Sequence, residues 1–170
     1  MLKKKICMLG AFSVGKTSLV EQYVHSIFSD KYLSTIGVKI SKKDLTLNGQ
    51  DIQLIIWDME GQDLIWNMEG QDLDKNFGYL RGAMGFFIVA DGTHAETVDI
   101  ALNSRKKALE ITGDVPHCIL MNKVDLVDLW EIPEERIAAL KHEGLKIFRT
   151  SAKTREGVEE AFAYLATAIL

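Results

Sequence analysis

At 170 residues, with 47% hydrophobic and 26% charged side chains, the chain has the size of one domain, spanning 1–170, and enough apolar material to bury a core, which argues against both intrinsic disorder and a second domain. Its net charge of -4, with basic residues dispersed apart from Lys3, Lys4 and Lys5, excludes a nucleic-acid surface. No apolar run reaches the ~18 to 20 residues that span a bilayer, so the chain is expected to carry no membrane anchor of its own.

The first predicted element is a strand over "KKKICMLG", ending in glycine-rich sequence. Its lysines form a solvated start and Cys7 sits in its apolar part. A helix follows over "KTSLVEQYVHSIF", with Leu19, Tyr23, Val24 and Ile27 at helical spacing. "GVKISKKDLTLNGQDIQLIIW" reads as two antiparallel strands joined at Asn48-Gly49, the pair suited to a tight type I′ turn. "AMGFFIVAD", "HCILMNKVD" and "LKIFRTSAK" are then short, apolar and separated by helical stretches, which predicts parallel strands with crossover helices. "IPEERIAALK" is a helix with Pro133 near its start, followed by acids. The last helix places Val158, Ala161, Phe162, Leu165 and Ile169 on one buried face. The expected architecture is a doubly wound α/β sheet of six strands, mostly parallel, with one antiparallel edge hairpin and helices on both faces. Ligands of such sheets bind at the carboxyl ends of the strands.

Cys7 and Cys118 lie inside apolar runs, where reduced and buried thiols are expected, as in a cytoplasmic compartment. The sequence ends at "ATAIL" without a terminal cysteine, so a lipidated tail is expected to be lacking or removed, and any membrane association to run through partners. The four histidines have no ligand spacing.

Three motifs fall at strand ends. "GAFSVGKT", Gly10 to Thr17, fits G-x-x-x-x-G-K-[ST] between a strand and a helix. There the glycines turn backbone N–H groups toward phosphates, Lys16 supplies a point charge, and the Thr17 hydroxyl ligates Mg²⁺. "NKVD", Asn122 to Asp125, follows one strand, and "TSAK", Thr150 to Lys153, follows the next. A carboxylate such as Asp125 accepts from the N1–H and exocyclic amine of guanine, a donor pair adenine does not present there.

With "STIGV" at 34 to 38, "WDMEGQ" at 57 to 62 and "YLRGAMGFFIVAD" at 79 to 91, the chain resembles the Ras-like small GTPases over essentially its whole length, and within them the Rab-type proteins and their bacterial relatives. The resemblance implies a P-loop NTPase that binds GTP or GDP with Mg²⁺. It implies that Phe28 stacks on guanine, that Asn122 and Asp125 read the base with Lys123 along the ring, and that Ser151 supports the pocket while the Ala152 N–H meets O6. It further implies that Thr35 binds Mg²⁺ when a γ-phosphate is present, that Asp58 holds the ion through water, and that the Gly61 N–H senses the γ-phosphate. The candidate nucleotide set is therefore Ser13, Val14, Gly15, Lys16, Thr17, Ser18, Phe28, Thr35, Gly61, Asn122, Lys123, Asp125, Ser151, Ala152 and Lys153. The metal set is Thr17, Thr35 and Asp58, and the catalytic set Gln62, Lys16 and Gly61.

Two features depart from the pattern. Phe12 occupies a loop position that is very small in many relatives; its ring either crowds an arginine finger supplied by an activating protein or packs over the loop. And "IWDMEGQDL" at 56 to 64 is repeated at once as "IWNMEGQDL" at 65 to 73, with Asp58 matched by Asn67. The first copy follows the strand directly and carries the carboxylate, so Asp58, Gly61 and Gln62 are expected to work. A nine-residue slip would seat Asn67 instead, at the cost of exchanging strand faces. The added Leu64, Ile65, Trp66 and Met68 either fold back on the domain or pair with another molecule, including a second copy.

The expected function is a GTP-binding switch that hydrolyses GTP slowly and changes partners, among them effector, exchange-factor and activating proteins. The alternative is a guanine-nucleotide-binding module with negligible hydrolysis. A metabolic P-loop kinase is weaker, since no lid-like arginine cluster is visible.

Overall fold

The structure, a computed structural model, describes residues 1–31, 35, 37–59 and 78–170. Among them are six strands, β1 (Leu2–Gly10), β2 (Val38–Leu47), β3 (Gln50–Met59), β4 (Gly85–Asp91), β5 (His117–Asn122) and β6 (Ile147–Thr150). Four helices accompany them: α1 (Lys16–His25), α2 (Glu96–Thr112), α3 (Glu134–His142) and α4 (Val158–Ala168). The strands form one sheet in the order β2-β3-β1-β4-β5-β6. Only the β2/β3 pair is antiparallel; β1 runs parallel to both β3 and β4, and β5 to both β4 and β6.

The hairpin turns where the sequence asks for it. Leu47 pairs with Gln50, and Asn48 and Gly49 both take positive φ, 51° and 77°, the requirement of a type I′ turn. The interior strands read as apolar runs because both faces are covered. On one face α1 and α4 pack through Leu19, Val20, Phe162 and Leu165, with Tyr23 and Phe162 stacked 3.9 Å between centroids. On the other, Val98 and Ala101 of α2 and Ile137 and Leu140 of α3 cover Phe86, Ile88 and Met121.

α1 is shorter than its apolar spacing predicts. Ser26 takes a left-handed conformation at φ 56°, its N–H bonded to the Gln22 carbonyl, which caps the helix after His25. Ile27 therefore lies beyond the helix and is 55% exposed.

Chain order reverses about β1. From it the chain proceeds to β2 and β3 on one side, then crosses to β4, β5 and β6 on the other, opening a crevice at the carboxyl ends of β1 and β4. Register brings the polar ends of the strands to this edge: Met8 lies beside Asp58, Gly10 beside Val89, Asp91 beside Asn122 and Asn122 beside Thr150.

Candidate active site

A cavity of about 370 Å³ opens at this edge. Of the predicted nucleotide set, Ser13, Gly15, Lys16, Thr17, Ser18, Phe28, Thr35, Asn122, Lys123, Asp125, Ala152 and Lys153 line it. Phe12, Ser29, Asp30, Lys31, Met59 and Leu126 complete the wall. Val14, Ser151 and Asp58 are fully buried and support the wall from behind. Gly61 and Gln62 lie outside the described residues, as does the whole second copy of the repeat.

The phosphate loop joins β1 to α1 by a route that only glycine permits at Gly15. Its φ is 101°, and a Cβ there would stand 2.4 Å from the Asn122 amide nitrogen. That amide donates to the Val14 carbonyl at 2.9 Å, while its oxygen accepts from Thr150 Oγ1 at 3.1 Å. Asn122 thus rivets the phosphate loop to β6. Lys16, 6% exposed, curls over the loop and donates to the carbonyls of Ala11 at 2.7 Å and Gly10 at 3.1 Å. Burial pushes its ammonium down to about 8, against the opposing pull of Asp58. An anion seated on the loop favours the charged form.

At the other wall, three oxygen-bearing side chains meet. Thr17 Oγ1 donates to Asp58 Oδ2 at 2.5 Å and lies 2.6 Å from Thr35 Oγ1. Since the Thr17 proton is engaged by the carboxylate, the Thr35 hydroxyl donates to Thr17. Asp58 is completely buried, yet its Oδ1 has no hydrogen-bond partner among the described residues. Burial raises its carboxyl pKa, opposed by the Thr17 hydrogen bond and by the charges of Lys16 and Lys39. A buried carboxylate with one oxygen unpartnered among the described residues, bonded to a hydroxyl that meets a second hydroxyl, is a hard donor set that fits Mg²⁺, which is commonly bound through few carboxylates together with phosphate oxygens. The strand that delivers it ends in the first copy of the repeat: Trp57 and Asp58 pair with Cys7 and Met8 on one side and with Ile40 and Lys39 on the other.

The base side is self-supporting. Ser151 Oγ donates to Asp125 Oδ1 at 2.8 Å and accepts from the Thr154 N–H at 3.0 Å, fixing the carboxylate at the cavity wall. Lys123, at φ 71°, donates to the Ser13 carbonyl at 3.1 Å and pairs with Asp91 at 2.8 Å. Burial works to raise the Asp91 pKa, but the Lys123 and Thr93 hydrogen bonds outweigh it and the net shift is downward. Phe28 lines the cavity with 39% of its surface exposed, and Phe12 with 53%.

One supporting residue escaped the sequence reading. Gln22, 6% exposed, donates from α1 to the Ala152 carbonyl at 2.7 Å and accepts from Arg155 Nε at 2.9 Å. The signal was present as a polar residue beside Tyr23 on the apolar stripe of the helix, since a buried polar side chain needs a partner. Cys7 and Cys118 are buried free thiols, each pushed up to about 12 by burial, which makes them poor nucleophiles.

The model of the Ras family matches residues 5–170. The chain is 34% identical over 168 residues to the Ras-related protein Rab-8B of Homo sapiens, covering 98% of this chain and 78% of that protein. It is 32% identical over 168 residues to Rab-13 of Canis lupus familiaris, covering 98% and 79%. It is 36% identical over 171 residues to Rab-21 of Geodia cydonium, covering 99% and 72%. Phosphate loop, sheet order and full-length similarity agree: the chain belongs to the Ras family of small GTPases, GTP-binding molecular switches and hydrolases acting on GTP.

Proposed function

We propose that this single-domain switch holds the guanine through Asp125, the phosphates through Lys16 and the N–H groups of residues 13–18, and Mg²⁺ through Thr17, Thr35 and Asp58. The observation that carries the reading is the placing of Thr17 Oγ1 at 2.6 Å from Thr35 Oγ1 and at 2.5 Å from the buried Asp58 Oδ2. When bound, Mg²⁺ supplies charge neutralisation to the β- and γ-phosphate oxygens. Asp58 orients the Thr17 hydroxyl, and Thr35 ties the chain before β2 to it. Ser151 aims Asp125 at the donor edge of guanine. Asn122 acts mainly by holding the phosphate loop against the base loop, and Ala152 is anchored by Gln22 so that its own N–H faces the base. Effector, exchange-factor and activating proteins are the expected partners, as befits a relative of Rab-type proteins and their bacterial counterparts.

Hydrolysis is proposed to be slow, because nine added residues separate Gln62 from the end of the second switch, and imprecise positioning costs orders of magnitude in rate. Gln62 is proposed as the residue orienting the attacking water, being the glutamine nearer in the chain to Asp58. No helix among the described residues is long and apolar enough to cross a membrane, and we place the protein in the cytoplasm, reaching membranes through its partners. Single-turnover GTP hydrolysis tests the reading: Gln62→Leu is expected to slow it at least about tenfold more than Gln71→Leu. A larger effect at Gln71 would reassign the working copy.

A further inference from the structure

The metal wall carries a cation that belongs to the protein. In the β2/β3 ladder Lys39 stands directly opposite Asp58. Side chains at directly opposed positions share a face with Cβ atoms ~5 Å apart, a gap that the four-carbon stem of lysine readily spans. Asp58 Oδ1 is buried and without a partner among the described residues, an acceptor for which an ammonium is a natural donor. Yet Lys39 takes a different partner on α1. Its Nζ lies 2.6 Å from Glu21 Oε1 on α1, and Glu21 itself is only 15% exposed while Lys39 is half exposed. Both charges act on Asp58, Lys39 favouring its ionised form and Glu21 opposing it.

We propose that Glu21 is a positioning residue for the metal: by holding Lys39 against α1 it keeps that ammonium off the free oxygen of Asp58 and leaves the carboxylate to a divalent cation. The inference rests on the assignment of Thr17, Thr35 and Asp58 to Mg²⁺. Its physical content is competition. An ammonium seated on Asp58 would satisfy the buried acceptor and add a positive charge where Mg²⁺ must sit, so it must leave before the ion can enter. Glu21 makes the alternative position of Lys39 the better one.

The test is a double-mutant cycle on Mg²⁺ affinity. It is read as the free Mg²⁺ concentration that half-suppresses release of fluorescent GDP, and independently as Mn²⁺ binding followed by electron paramagnetic resonance. Glu21→Gln is expected to raise the Mg²⁺ midpoint about fivefold, the upper scale of one partly exposed charge pair. Lys39→Met alone should leave it within about twofold of wild type, and adding Lys39→Met to Glu21→Gln should restore it to the same range. The effect should survive ~1 M salt, where charges beyond contact are screened. An unmoved midpoint in Glu21→Gln overturns the proposal. So does a Lys39→Met effect of equal size in both backgrounds, which would mean that the two charges act only through an additive field. Asp58→Asn separates the levels: if it shifts the midpoint while Glu21→Gln does not, this inference alone fails, and if neither shifts it, the metal assignment falls too. Circular dichroism of each variant checks the fold.

Discussion

The two ends of the cavity are built on opposite principles. On the base side the polar groups satisfy one another: Ser151 holds Asp125, Thr154 holds Ser151, Thr150 holds Asn122, and Asn122 holds the phosphate loop. On the metal side the Thr17 hydroxyl takes one oxygen of Asp58 and Thr35 reaches only Thr17, while the other carboxylate oxygen is buried with no partner among the described residues. The first arrangement is shaped before its ligand arrives, as a selective site for a polar edge must be. The second stores an electrostatic cost that a cation relieves, which suits a region whose contacts change between states.

The comparison breaks most visibly where the two ends meet the phosphates. Lys16→Ala is expected to weaken GDP binding about a hundredfold to a thousandfold with an unchanged circular dichroism spectrum, since the Lys16 ammonium donates to the loop carbonyls of Gly10 and Ala11 and not into the sheet core. Unaltered GDP affinity would remove the phosphate loop from the site. Asp125→Ala should erase about a hundredfold of the preference for GTP over ATP in competition binding, with Mg²⁺ dependence retained. If ATP already displaces labelled GDP from the wild type as well as GTP does, the base side has been misread.

Asp58→Asn should act in two directions. It should raise the Mg²⁺ requirement for nucleotide retention about tenfold, while in chelator the melting temperature should rise by a few degrees, because a carboxylate whose ionised form is disfavoured by burial is gone. A lower melting temperature in chelator would show Asp58 to be as well satisfied as the base side.

The smallest effect lies away from both ends. His117 donates through Nδ1 to the Val115 carbonyl at 2.8 Å and accepts from Arg105 Nε at 2.9 Å, and burial holds its pKa below 6.5. The unfolded chain therefore takes up a proton that the folded one refuses. This contribution to stability is complete above pH 6.5 and is lost as pH falls through the folded pKa. His117→Gln should reduce the melting-point drop between pH 7.5 and 5.5 by about a degree or two; an identical drop would exclude His117 as a source of acid sensitivity.

Much of this was legible because the sequence states it redundantly. Six strand-like segments, a turn pair at Asn48-Gly49 and motifs at strand ends each imply the same sheet, and register then delivers Asp58, Asn122 and Thr150 to one edge. What sequence periodicity missed are matters of local conformation and long-range pairing. Ile27 continues a helical pattern, but the chain leaves the helix at Ser26 through a left-handed cap. Val14 belongs to a binding motif, yet its side chain is buried in the core, which a motif does not encode. Gln22 meets Ala152 and Arg155 across more than a hundred residues of chain, a contact no window can reveal. Gly61 and Gln62 lie outside the described residues, so their roles rest on the motif.

The rivet formed by Asn122 gives the site an unusual thermodynamic character. One carboxamide joins the loop that meets phosphates to the strand end that leads to the base loop, so displacing either half displaces the other. A nucleoside and a pyrophosphate, offered as separate pieces, each give up their own translational freedom to this prepared frame, whereas the joined nucleotide gives it up once. The intact nucleotide is held more tightly than its fragments would suggest, and a partner that pries open one end loosens the grip at both.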